Sequence, residues 1–423
     1  VSTTDSSPAP TESTFGVLTD SAFERSRARI GIPERPLTPH NHEVATDNVR
    51  HFAYAYGDSN PLWCDPEYGK NTRWGGLIAP PNFMYTMGEN AAPPLTPEQK
   101  AALKGDPFAG LGSYQAVMEF EYYKPLRLGD RCQVIRAQVG VQEKPSRFGN
   151  RTAHVTNDFL FANGDGDIVT IQRGTWINAE RHTSRANAKK VDPIDFTEPY
   201  TDEQLAEIDA AYDAETIRGA ETRYFEDVAI GDEIQPRVKG PLTMTDVVVW
   251  HVGWGMQLTP PGAFGISRKI RRKIPGLYPP NSRNIPDTVQ RLHWESERAA
   301  ELGIPMNYDY GAMRETWLTH AITDWMGDDA WLWKLSCQHR KFNYMGDTTW
   351  VTGTVVDKRE VTDEQGARHE VHLQLACTNQ RGEVNTPGTA VVLLPTRDRA
   401  VELPTPPADN LTDLLDVEIR RFA

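Results

Sequence analysis

Chemistry in this chain has to come from acids, histidines and one basic run, because the common ready-made motifs are missing. The 11 histidines show no His-Glu-x-x-His or similar pairing, so no zinc-ligand spacing is present. Cys64, Cys132, Cys337 and Cys377 lack any Cys-x-x-Cys spacing and read as reduced thiols. No P-loop occurs and no Gly-x-Gly-x-x-Gly follows a strand, which leaves nucleotide hydrolysis and Rossmann chemistry without a motif. What remains is scattered acids and histidines, an acidic loop from Tyr56 to Pro66, and five cations within six residues: Arg268, Lys269, Arg271, Arg272 and Lys273. Carboxyl groups and imidazoles move protons. Clustered Arg and Lys pair with phosphate oxygens, although such a run also serves as a solvated charged face.

Those residues need elements to hold them. Met118, Phe120 and Tyr122 alternate with Glu119 and Glu121, the period of a half-buried strand. Ala153, Val155, Phe159 and Phe161 share one parity, and Ile168–Ile171 adds another β-prone run. Val351 and Val355, then Val371, Leu373 and Leu375, repeat the pattern around the turn Asp363-Glu364-Gln365-Gly366, as a hairpin would. Thr201 with Gln204 three residues on predicts a capped helix running to Glu215. Trp325, Trp331 and Trp333 read as core or pocket wall.

The two ends of the chain also register against each other. Thr46-Asp47 with Phe52 matches Thr245-Asp246 with Trp250, and Trp63-x-Asp65 matches His293-x-Glu295. Lys124 before Gly129-Asp130 matches Lys341 before Gly346-Asp347, both pairs suited to turns before strands. An insertion near Leu258–Gln290 in the second half, and extra residues near Ala92–Gly112 in the first, account for the changing offsets. The chain reads as a duplicated α+β domain. The predicted organisation is a polar tail over 1–14, a first half over 15–180, a helix-bearing linker over 181–223, a second half over 224–400, and a C-terminal tail over 401–423.

The run Gly57-Asp58-Ser59-Asn60-Pro61-Leu62-Trp63-Cys64-Asp65 resembles the Gly-Asp-x-Asn-Pro-(aliphatic)-His-x-Asp loop of MaoC-like (R)-specific enoyl-CoA hydratases. Thr72-Arg73-Trp74-Gly75-Gly76-Leu77-Ile78-Ala79-Pro80-Pro81 is similar to the N-terminal dehydratase domain of fused members of that family. The resemblance implies a double hotdog, each half wrapping a curved antiparallel sheet around a central helix. It also implies addition of water across a 2-enoyl thioester, or its removal. An Asp and a His share the proton work, and a backbone N–H holds the thioester oxygen. In the first half Asp58 and Asn60 match the loop, but Trp63 stands at the His position and Pro81, eighteen residues on, at the oxyanion Gly; proline has no N–H to donate. In the second half His293 and, eighteen residues on, Gly311 fill both positions, while Met256 replaces the helix-end Asp. Asp287 and Glu295 are the candidate acids. Asp58 then reads as a structural relic and the second half as the working one, with the basic run clamping coenzyme A phosphates.

The formal charge is −13, a poor match for a nucleic-acid backbone. No apolar run approaches the roughly 18 residues of a membrane span, and the start shows no charged-then-apolar leader. The expectation is therefore a cytoplasmic hydro-lyase acting on acyl-CoA or acyl-carrier thioesters. It would need no cofactor beyond the CoA or carrier of its substrate, no metal, no nucleic acid and no membrane, and a homodimer is compatible with it. Two alternatives stand: an acyl-CoA-binding double hotdog without catalysis, and a thioesterase on the same fold.

Overall fold

The computed structural model describes residues 16–34, 39–145, 151–180, 198–255, 262–363, 366–415, 419 and 421. Met256 and the predicted tail over 1–14 lie outside them, as does the linker stretch 181–197. The described strands are β1 (Pro33–Glu34), β2 (Glu89–Asn90), β3 (Gly112–Tyr122), β4 (Cys132–Lys144), β5 (Thr152–Asn163), β6 (Ile168–Ala179), β7 (Glu233–Lys239), β8 (Trp331–Gln338), β9 (Thr349–Asp363), β10 (Gly366–Asn379) and β11 (Val384–Leu393). They form one 11-stranded sheet in the order β1-β4-β5-β6-β3-β8-β11-β10-β9-β7, with β2 added beside β4. All pairs are antiparallel except β2 with β4. Each half supplies one contiguous block. They meet where β3 pairs with β8, from Val117 opposite Gln338 to Glu121 opposite Lys334.

The period-2 runs become strands because alternate side chains leave opposite faces. Met118, Phe120 and Tyr122 are buried while Glu119 is exposed. Val351, Val355, Val371, Leu373 and Leu375 are all buried in the same core, and Asp363 and Gly366 face each other where the hairpin turns. On β5 the parity is less clean, since Leu160 and Ala162 are buried beside Phe161. The reason is cover on the outer face: the segment read as a C-terminal tail returns as a short helix, Leu411–Leu415, and packs Leu411 against Ile135, Ala137 and Leu160. The capped helix over Asp202–Asp213 forms, with Thr201 and Gln204 making reciprocal bonds to each other's backbone.

The duplication is visible in the packing. Helices Thr46–Tyr54 and Met244–Trp254 start at the repeated Thr-Asp pair, and Phe52 meets Trp250 at 6.1 Å between rings. Gly253 permits the approach, because a Cβ there would lie 2.4 Å from that of Ala55. Pro81 and Gly311 each begin the central helical element of their half. The elements differ in length: a six-residue 3-10 turn over Pro81–Thr86 in the first half, and a 16-residue α-helix over Gly311–Met326 in the second. Every residue of the latter after Gly311 is buried.

Candidate functional site

The acidic loop folds as a chain of caps. Asp58 Oδ1 accepts from the Asn60 amide (2.8 Å), Asn60 Oδ1 from the Leu62 amide (3.0 Å), and Asp65 Oδ1 from the Glu67 amide (2.9 Å). Such side-chain acceptors satisfy helix-start N–H groups. Trp63, standing at the expected His position, donates its indole N–H to Asp58 Oδ2 at 3.0 Å, and the Tyr56 hydroxyl donates to the same oxygen. Across the half boundary, His320 Nε2 lies 2.9 Å from Asp324 and 3.7 Å from Asp58. Arg237 pairs with Asp324, and Lys239 donates to the Tyr56 carbonyl and to His320 Nδ1. Burial dominates the titration here: it pushes His320 down to about 3, Lys239 down to about 8 and Asp324 up to about 6. With Arg237 and Lys239 already neutralising the carboxylates, the trio Asp58, His320 and Asp324 has no need of a cation.

His293 closes a 3-10 turn, Val289–His293, and is 8 % exposed. Its Nδ1–H donates to the Tyr308 carbonyl at 2.9 Å, which leaves Nε2 as the acceptor. The ring stacks on Tyr310 at 3.7 Å, and the Tyr310 hydroxyl meets His251 Nε2. Burial lowers His293 to about 3 and His251 to about 4, so both are neutral near pH 7. Tyr310 caps the central helix and Gly311 is its first residue. A first-turn N–H of a helix has no intrahelical acceptor and is free for an anion.

The two candidate acids point to other work. Glu295 pairs with Arg291 at 3.0 Å, and Arg291 also donates to the carbonyls of Pro279, Pro280 and Asp287. Asp287 accepts from the Thr288 amide at 2.7 Å. No hydrogen bond joins either acid to His293 among the described residues. Arg268, Lys269, Arg271, Arg272 and Lys273 share one helix, Phe264–Lys273, which buries none of its residues; Arg271 bonds the Pro286 carbonyl. The helix stands on the same insertion that leads into His293.

A further cluster at the helix start was not legible in the sequence. Glu315, one turn after Gly311, is fully buried; its Oε1 accepts from Gln115 (2.5 Å) and His339 Nε2 (3.2 Å), and its Oε2 from the Tyr85 hydroxyl (2.5 Å). His339 Nδ1 is buried without a partner. A Cβ on Gly311 would meet Gln115 Oε1 at 2.4 Å and His339 Cε1 at 3.2 Å, so a side chain at this position would displace the Gln115 amide and press on the His339 ring. Cys337 stands close enough to share a cation with Glu315 and His339. However, burial keeps the thiol protonated, and hydrogen bonds already occupy both carboxylate oxygens. Tyr85 and Gln115 come from the first half, 230 and 200 positions away from Glu315, so no local spacing announces them. A shallow apolar cleft is lined by Trp63, Trp74, Pro81, Tyr122 and Trp331. It lies at the first-half counterpart of the His293 position, not beside His293.

Residues 32–171 match a family described as the FAS1-like dehydratase domain region. The chain is similar to a UPF0336 protein of Streptomyces avermitilis, 34% identical over 147 residues that make up 34% of this chain and 89% of that protein. It is also similar to a Thermomonospora curvata protein named "Probable enoyl-CoA hydratase alpha subunit", 28% identical over 34% of this chain and 46% of the other. Among solved structures, a MaoC-like dehydratase superposes with a TM-score of 0.57 at 17% identity, covering 87% of this chain and 99% of that one.

Proposed function

We propose that this chain, which belongs with the UPF0336 proteins, carries a FAS1-like dehydratase region over residues 32–171 and has the fold of a MaoC-like dehydratase, hydrates or dehydrates 2-enoyl thioesters in its second half. The observation that carries this reading is the junction of His293 and Gly311 at the start of the central helix. His293 is held as the tautomer whose Nε2 accepts a hydrogen bond, ready for a water aimed at C3 of the enoyl group. As the water oxygen bonds C3, charge moves to the thioester oxygen, and the Gly311 N–H takes it up. Removing one such donor elsewhere costs about 2.7–4 kcal/mol. The first half has Trp63 and Pro81 at these positions, so its apolar cleft has neither a proton carrier nor an oxyanion donor. Asp58 and Asn60 serve there as structural caps. Glu295 and Asp287 fasten the insertion that carries His293, and the basic helix on that insertion meets the phosphates of coenzyme A.

A panel of enoyl-CoAs followed at the enoyl absorbance, beside a free-thiol assay, tests the reading. Loss of absorbance without thiol release is the expected result. Thiol release would replace it with thioester hydrolysis, and neither signal with binding alone. His293→Asn should lower turnover about 10²- to 10⁴-fold with the fold intact; near-normal turnover in that variant would remove His293 from the mechanism.

A further inference from the structure

We propose that His339, oriented by Glu315, is the second proton-handling group of this site and fills the place of the acid that the second half lacks. The proposal rests on the hydratase reading above. Three observations at the start of the central helix support it. The first is an unpartnered atom. His339 Nε2 faces Glu315 at 3.2 Å, while its Nδ1 is buried with no hydrogen-bond partner. Leaving a buried polar atom unpaired is costly, and a ligand that supplies the missing partner removes that cost. The second is orientation. A carboxylate on one ring nitrogen fixes the tautomer, leaves a lone pair on the other and stabilises the imidazolium that forms when a proton arrives. Glu315 is itself fixed by Tyr85 and Gln115. The third is place. The His339 ring closes on Gly311, whose missing side chain makes room for it, while His293 stacks on the adjoining Tyr310.

The two imidazoles therefore flank one peptide junction, each presenting an acceptor. A water has two hydrogens to give. In the hydration direction it donates one to His293 Nε2 and one to His339 Nδ1. Its oxygen bonds C3 as His339 Nδ1 takes a proton, and the thioester oxygen becomes an enolate oxygen held by the Gly311 N–H. The same Nδ1–H then delivers the proton to C2 on the same face. One O–H bond and the C2–C3 π bond break, one C–O and one C–H bond form, and His339 returns to its neutral state. His293 has a backbone carbonyl behind it where His339 has a carboxylate, so His339 is the better carrier of the transient charge and His293 the better anchor for the water. Glu315 acts through His339 and is a positioning residue.

The test compares the wild type with His339→Gln, Glu315→Gln and His293→Asn on an accepted enoyl-CoA, each variant checked for its fold by circular dichroism and melting. His339→Gln should lose about 10²- to 10⁴-fold in kcat with KM within about twofold. Glu315→Gln, which keeps the shape and removes the charge, should lose kcat in the same KM-neutral way but less. A folded His339→Gln with kcat within about threefold of wild type overturns the proposal, and so does a Glu315→Gln whose only change is in KM. If His339→Gln fails to fold, ¹⁵N-histidine NMR of the wild type decides. Adding an unreactive saturated acyl-CoA should shift the His339 Nδ1 resonance, and an unmoved resonance refutes the assignment. A wild type inert toward every enoyl thioester would defeat the hydratase reading and this inference with it. Loss in His293→Asn beside full activity in His339→Gln would defeat this inference alone.

Discussion

His293 couples chemistry to stability, because its ring is buried in the neutral form. Its pKa falls to about 3 through loss of solvent, against roughly 6.5 in an unfolded chain. Between those values the unfolded state binds a proton that the native state refuses, so this residue's contribution to stability is complete above about pH 6.5 and is lost as pH falls toward 3. His293→Asn has no such proton to refuse. Relative to wild type, the variant should gain about 1.4 kcal/mol per pH unit below pH 6.5, measured by urea melts at pH 7 and pH 5. A pH-independent difference between the two would show that His293 is solvated in the native protein. At this scale His293, Gly311, Trp63 and Pro81 stood out through the resemblance to the hydratase loop. His339 and Glu315 did not, since a buried imidazole and carboxylate are recognisable only by what surrounds them.

Elements were legible where one face is wet. The period-2 strands and the Thr201 capping box declare themselves because exposed and buried positions alternate, or because a cap has fixed chemistry. The Gly311–Met326 helix is the opposite case. Buried all round and carrying Arg314, Glu315, His320 and Asp324, it shows no polar stripe to give it away, and its polar groups answer to partners far off in the chain. The Phe264–Lys273 helix is different again, an exposed element whose charges meet little of the protein. Neutralising Arg271 and Arg272 together should therefore leave folding and kcat nearly unchanged and raise KM for CoA thioesters, the pattern of lost uniform binding. A pantetheine thioester, which lacks the nucleotide, should show no such increase. Equal effects on both substrates would assign the helix another role.

At the scale of the whole molecule, the Asp58 network ties the halves together. Asp58, Asn60 and Tyr56 come from the first half and Arg237, Lys239, His320 and Asp324 from the second, with Asn60 reaching Asp324 over 264 positions. The duplication itself was readable, since paired motifs keep their order, but this cross-connection was not. Asp58→Ala would strand three buried donors, the Asn60 amide, the Tyr56 hydroxyl and the Trp63 indole. At about 1–3 kcal/mol for an unsatisfied buried group, the variant should lose about 3 kcal/mol or more of stability while kcat, corrected for folded protein, changes little. A selective loss of kcat without destabilisation would return Asp58 to the catalytic site.

The pairing of β3 with β8 has a consequence for how the protein keeps its integrity. Either half alone would end in an open strand edge, a row of unpaired N–H and C=O groups that invites another chain. Tethering both edges in one polypeptide turns their meeting into an intramolecular event, whose effective concentration does not fall on dilution, so the seam should survive dilution that would dissolve a two-chain assembly. Residues 16–180 expressed alone should instead self-associate, visible as a concentration-dependent mass in sedimentation. A stable, soluble monomer of that fragment would mean that something other than the seam protects the β3 edge.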